Sequence, residues 1–218
     1  MRGLYRAVWI ASLLAILAMS VVFALQPSSP PVVAPMTAYI SEDRSLSLQY
    51  PGNWKPHSFS SHAVAAQVAF DPNATTHFAV ETSLAGSLIG DVAKADGAML
   101  SALPGLPAGV ADKQKSPLEM LHGIALHTMA KNKRRYPDFT QGATQPMQIG
   151  GIEALATEFT FKEGAFWSKK EMTGTYFTIL AKDREVRVTA FCTQDRSKTM
   201  QPVFDQMIAS MRFGEGGG

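Results

Sequence analysis

Five histidines and one cysteine are the residues of this chain best suited to hold a metal or attack a bond. His122 and His127 form the tightest helical pair, but five positions turn an α-helix by about 500°, so their rings diverge by about 140°. Two ligands on one helix normally stand three or four residues apart. His57, His62 and His77 could converge in space, yet neither HxH nor HExxH spacing occurs. The expectation is surface histidines and no metal site. Cys192 shares a strand face with Val186 and Val188 and reads as a small buried hydrophobe, because a nucleophile would need a neighbouring base and an electropositive setting. One cysteine also excludes an intramolecular disulfide and a cysteine-rich zinc site. GxSxG elbows, Walker-type loops and GxGxxG loops are absent. The chain is therefore expected not to be an enzyme, with no catalytic, cofactor or metal residues assigned.

The strongest charge cluster is Lys131-Asn-Lys133-Arg134-Arg135, followed by Tyr136 and Phe139. Cations at a helix C-terminus complement the helix dipole and need no ligand to explain them. The functional reading is a docking patch for acidic protein or lipid headgroups. Phe166 and Trp167 beside Lys169 and Lys170 would extend it, since aromatics next to cations mark contact surfaces.

The elements that must carry these residues follow from periodicity. Leu46, Leu48 and Tyr50 alternate with Ser45, Ser47 and Gln49, the pattern of a strand with one wet face. Pro51-Gly52 predicts a type II reversal over Tyr50–Asn53, with Trp54 folding back into the core. Val64, Ala66, Val68 and Phe70 form a second strand, closed by Asp71-Pro72-Asn73 before Phe78 and Val80 begin a third. Leu88, Ile89, Val92, Met99, Leu100 and Leu103 fall at helical spacing, with Gly90 and Gly97 weakening the helix. A loop over 103–109 follows. Ser116-Pro117-Leu118-Glu119 is a capping box, and a helix burying Leu118, Leu121, Ala125 and Met129 should run to about Arg134. Ile149-Gly150-Gly151-Ile152 predicts a two-glycine hairpin. Strands over Met172–Leu180 and Val186–Cys192 come next. A final helix with Val203, Phe204, Met207, Ile208 and Met211 on one stripe should be capped near Thr199. Strands joined by hairpin-length connections, with a few helices, give an α+β sandwich on a mostly antiparallel sheet.

At the N-terminus, Ala7 to Leu25 carries no charge and is just long enough to cross a bilayer, with Arg2 and Arg6 before it. Positive charge stays on the cytoplasmic side, so the remainder should face outward. Val22-Phe23-Ala24 is a passable cleavage site, but the apolar run exceeds a usual signal core, which favours retention as a signal anchor. Residues 26–38, with Pro27, Pro30, Pro31 and Pro35, read as a semi-rigid linker, 39–213 as the domain, and 214–218 as a flexible tail. Of the 20 basic residues, Arg2 and Arg6 precede the apolar run, leaving 18 against 18 acidic residues beyond it. A neutral domain lacks the field that drives nucleic-acid binding.

Ser45-Leu-Ser-Leu-Gln-Tyr-Pro-Gly-Asn-Trp54, Ile149-Gly-Gly-Ile-Glu-Ala154 and Phe204-Asp-Gln-Met-Ile-Ala-Ser-Met-Arg-Phe213 resemble the PsbP-like superfamily, over about Tyr39 to Phe213. That family includes photosystem II extrinsic subunits, a Ran-binding import factor and bacterial envelope proteins of the DcrB type. The resemblance implies an α/β/α sandwich around an antiparallel sheet, docking on a larger assembly, and no enzymatic activity. A short leader without a Ser/Arg-rich transit segment points to the bacterial envelope member. The expectation is a non-catalytic module, tethered by its N-terminal helix in the bacterial inner membrane and facing the periplasm, or secreted if the leader is cleaved. Its partner would be an envelope or inner-membrane protein. The alternative is a carrier of a small apolar ligand or metal ion.

Overall fold

The computed structural model describes residues 34–61, 64–83, 116–164, 169–181 and 184–214, all within one unit, Val33–Gly218. Among these residues are ten strands and two α-helices. The strands are β1 (Met36–Ile40), β2 (Leu46–Pro51), β3 (Pro56–Ser61), β4 (Val64–Asn73), β5 (Thr76–Ser83), β6 (Thr140–Ile149), β7 (Ile152–Glu163), β8 (Lys170–Ala181), β9 (Arg184–Thr193) and β10 (Arg212–Phe213). The helices are α1 (Pro117–Lys131) and α2 (Ser197–Ala209), the latter entered through a 3-10 turn at Gln194–Arg196.

Seven strands make one antiparallel sheet in the order β3-β4-β5-β9-β8-β7-β6, and β1, β2 and β10 make a second, smaller one. Because successive side chains on a strand point to opposite faces, the alternation read from β9 sorts the core into two layers. Val186, Val188, Ala190 and Cys192 face Leu48, Trp54, Phe204 and Met207 of the small sheet, its following turn and α2. The opposite face carries Phe159, Phe161, Met172 and Tyr176, which pack against Ala125, Leu126 and Met129 of α1. Each fully buried Phe or Leu contributes roughly 1.5–3 kcal/mol by leaving water. The result is the α/β/α layering expected for the fold class.

Local chemistry sets most element ends where periodicity puts them. Ser116 Oγ accepts from the Glu119 amide at 3.2 Å and Glu119 Oε2 accepts from the Ser116 amide at 2.7 Å, a cap worth about 1 kcal/mol over alanine. Gly150 and Gly151 take φ of 59° and 81°, which the hairpin between β6 and β7 requires.

Six boundaries differ from expectation. Pro51 stays in β2, paired with Met36; the turn moves one residue on, with the Trp54 amide donating to the Pro51 carbonyl at 2.8 Å, and neither Gly52 nor Asn53 has positive φ. The same pairing takes residues 36–38 out of the linker and into β1. Asp71 and Pro72 form an irregularity within β4, and the reversal falls at Ala74-Thr75, where Asn73 Oδ1 accepts from the Thr75 amide at 2.9 Å. Helix α1 stops at Lys131, before Arg134, because the Asn132 amide closes the last turn onto Thr128 and Met129. Thr199 lies inside α2, whose N-cap is Arg196 without a side-chain cap, since the 3-10 turn already carries the chain out of β9. Gly214, assigned to the tail, donates to the Ser45 carbonyl at 3.0 Å. The apolar run Ala7–Leu25, the helix proposed over Leu88–Leu103, the loop after it and residues 215–218 lie outside the described residues. No helix among the described residues is long and apolar enough to cross a membrane.

Candidate functional site

Helix α1 lies along β7 and β8, and its inner stripe positions one polar side chain among the apolar ones. His122 is buried, 2% exposed, which corrects the surface location expected for it. Its Nδ1 meets Thr178 Oγ1 of β8 at 2.8 Å and its Nε2 meets Thr157 Oγ1 of β7 at 2.7 Å. Thr157 Oγ1 in turn meets Thr144 Oγ1 of β6 at 2.7 Å. A neutral imidazole has one donor and one acceptor nitrogen, and a hydroxyl can serve either. The chain Thr144–Thr157–His122–Thr178 is therefore satisfied without charge and ties α1 to three strands. Burial pushes the His122 pKa down to about 4.

The other histidines do different work. His57 is exposed, His77 is half-buried against Phe191 and bonded to Asp71, and His127 is half-buried on α1. His62 lies outside the described residues. Among the described residues no three His, Cys, Asp or Glu side chains stand together as metal ligands would. Cys192 is 2% exposed, and burial pushes its thiol up to about 11, so the thiolate that would act as nucleophile or ligand is suppressed.

Beside the His122 chain, α1 and the outer strands enclose a groove of about 860 Å³. Leu118, Leu126 and His127 line it from the helix, and Phe139, Thr144 and Leu155 from the other side. It extends from Ser116 at the start of α1 to Ala130 at its end.

Where the groove reaches the end of α1 lies the basic cluster. Lys131, Lys133, Arg134 and Arg135 are all exposed. With α1 ending at Lys131, only that residue sits in the last helical turn; the helix dipole fades within one turn and does not account for the other three. Tyr136 is not a contact aromatic: it is 7% exposed, packs edge-on against Phe161 at 5.2 Å, and lies under the Arg135 guanidinium. Phe139 is half-buried and stacks on Phe159.

The fold brings the two sequence clusters to one end of the large sheet. The Lys162 amide donates to the Pro137 carbonyl at 2.9 Å, and Lys162 Nζ lies 3.4 Å from Asp138 Oδ2. One residue further, Glu163 pairs with Lys170 across β7 and β8. Lys169 and Lys170 are exposed there; Phe166 and Trp167 lie outside the described residues. Asp138, Glu163 and Glu171 interrupt this basic surface without reversing its sign. Lys162 escaped the sequence reading because its neighbours in space come from a distant loop.

No family model matches this chain, and no curated protein matches it. Solved structures do. The cyanobacterial PsbP of Synechocystis sp. PCC 6803 is 11% identical, covering 88% of this chain and 99% of its own, with a TM-score of 0.54. LpqN, involved in cell envelope biogenesis of Mycobacterium tuberculosis, is 14% identical over 83% of this chain and 91% of its own, with a TM-score of 0.44. The Saccharomyces cerevisiae Ran-binding protein Mog1p is 6% identical over 83% and 96%, with a TM-score of 0.44. At such identities the likeness is one of architecture: the chain has a PsbP-like fold.

Proposed function

We propose that this chain is a non-catalytic module of the bacterial envelope, of the DcrB type, that docks on an acidic partner protein through the basic end of its large sheet. The observation that carries this reading is the exposure of Lys133, Arg134 and Arg135 beyond the end of α1, where no helix dipole needs them. Lys162, Lys169 and Lys170 at the same end add to the field, and such fields steer acidic partners and raise association rates. The apolar run Ala7–Leu25 with its preceding arginines supports delivery to the inner membrane with this domain outside.

Crosslinking in intact cells should recover a discrete partner. Replacing Lys131, Lys133, Arg134 and Arg135 by glutamate should cut that recovery about tenfold or more, because rim charges act mainly on encounter. Unchanged recovery removes the basic end from the interface.

The groove favours a second reading, carriage of a small apolar ligand, because its volume lies within the roughly 300–1,000 Å³ of small-molecule sites. Native mass spectrometry of the gently purified chain should then show a discrete adduct. A bare chain mass counts against it.

A further inference from the structure

Among the described residues β6 is one of the two edge strands of the large sheet, and nine of its ten residues are exposed. Its sequence, Thr-Gln-Gly-Ala-Thr-Gln-Pro-Met-Gln-Ile, carries no charge, and Met147 is one of the large apolar side chains that stay in water, 36% exposed. An edge strand offers a row of unpaired N–H and C=O groups, and proteins usually guard it with lysine, proline, a bulge or a cover. Here an irregularity separates Gln141 from Thr144 and Pro146 removes one donor. The strand itself carries no charged side chain. From Thr144 to Ile149 the pairing with β7 is regular, so this stretch has the geometry to accept a further strand.

The groove lies against the same stretch. Thr144 and Pro146 belong both to β6 and to its wall. Since strand residues alternate between faces, a segment laid along β6 would send every second side chain toward the opening bounded by Leu118, Leu126, Phe139 and Leu155. Main-chain bonds along an edge with a pocket for alternate side chains is the arrangement by which sheets capture extended peptides. The loop holding Lys131, Lys133, Arg134 and Arg135 precedes the first residue of β6 by a few positions. At about 3.3 Å per residue, a captured segment must be about as long as β6 itself, ten residues, to run from Ile149 to the end of the strand that follows that loop.

We propose that the free edge of β6 receives an extended segment of the partner protein as an eighth strand, with apolar side chains at alternate positions entering the groove and acidic residues at the end beside the 131–135 loop. The acidic end rests on the docking reading above; the edge pairing stands apart from it.

The test uses the full chain in detergent micelles and two fluorescent synthetic peptides of alternating valine and threonine, one ending in three aspartates and one in three serines. Both should bind in anisotropy titrations and slow deuterium uptake over residues 144–149 about tenfold or more. The aspartate peptide should bind at least tenfold tighter, an advantage that glutamate at Lys133, Arg134 and Arg135 abolishes. Gln145→Asp with Met147→Asp, both exposed, should weaken both peptides at least tenfold at unchanged thermal stability. Protection of β6 by both peptides without an aspartate advantage keeps the eighth strand and removes the acidic end. No binding at millimolar peptide, or protection that spares β6, overturns the proposal, as does β6 protection in the absence of peptide through pairing of two copies.

Discussion

Gly174→Ala should destabilise the protein by about 3 kcal/mol or more, because a β-carbon there has nowhere to go. Gly174 lies in mid-β8 between Phe159 of β7 and Phe191 of β9, and an added Cβ would drive into the Ala190 carbonyl and the Phe191 backbone. The obstacle is main chain, so no rotamer change relieves it; β8 and β9 must part and lose ladder bonds. Overpacking costs about 1–3 kcal/mol even where side chains can yield. The rings of Phe159 and Phe191, 6.4 Å apart and edge to face, cover the bare backbone and supply the packing that the glycine lacks. Urea unfolding measures the effect. A midpoint shift equivalent to under about 0.5 kcal/mol, an effect typical of exposed sites, would show that the strands tolerate the methyl group.

The second large effect is on acid stability and comes from His122. An unfolded histidine titrates near 6.5, whereas burial lowers the folded value to about 4. Between those values the unfolded chain binds more protons than the folded one, so stability falls as pH falls. The contribution is fully present above pH 6.5. Its loss by pH 4 should reach about 2 kcal/mol, allowing for screening by water in the adjacent groove. His122→Gln should flatten this window and also cost about 1–3 kcal/mol at pH 7.5, since Thr157 and Thr178 each lose a partner. Parallel unfolding at pH 7.5 and 4.5 separates the two effects, and an identical pH slope in both proteins would refute the assignment. Asp43 acts in a lower window. Burial raises its pKa, but bonds from Ser41, Ser45 and Arg184 outweigh this and hold the carboxyl well below the usual range. What Asp43 contributes is therefore present above about pH 4 and lost only as the medium becomes more acidic.

His122 also shows how a legible signal can be passed over. At 100° per residue, Leu118, His122, Ala125 and Met129 fall within about 60° of one another, so the apolar stripe itself placed the imidazole inward. Residue type outweighed position, because a histidine is more often at a surface than on a core stripe. Alternation in β2 and β9, the capping box and the paired glycines were readable because each depends on neighbours a few residues away. Pro51 was misread because its strand partner, Met36, stood among residues assigned to a linker; without β1 there is no ladder to hold the proline extended. The shared location of the Lys131–Arg135 and Lys169–Lys170 clusters was not readable at all. It depends on the Lys162 amide meeting the Pro137 carbonyl, a contact between segments that periodicity treats separately. The groove is likewise a property of where α1 lies on the sheet.

The small sheet has a consequence for synthesis. Strand β10 closes it by pairing Arg212 with Ser47 and Phe213 with Leu46, and α2 just before it covers Val188, Phe78 and Val80. A ribosome releases these closing pieces after every strand of the large sheet, so the part of that apolar face which α2 covers stays open until the last segment emerges. During that interval the nascent polypeptide needs a chaperone or an unfolded passage more than it needs speed.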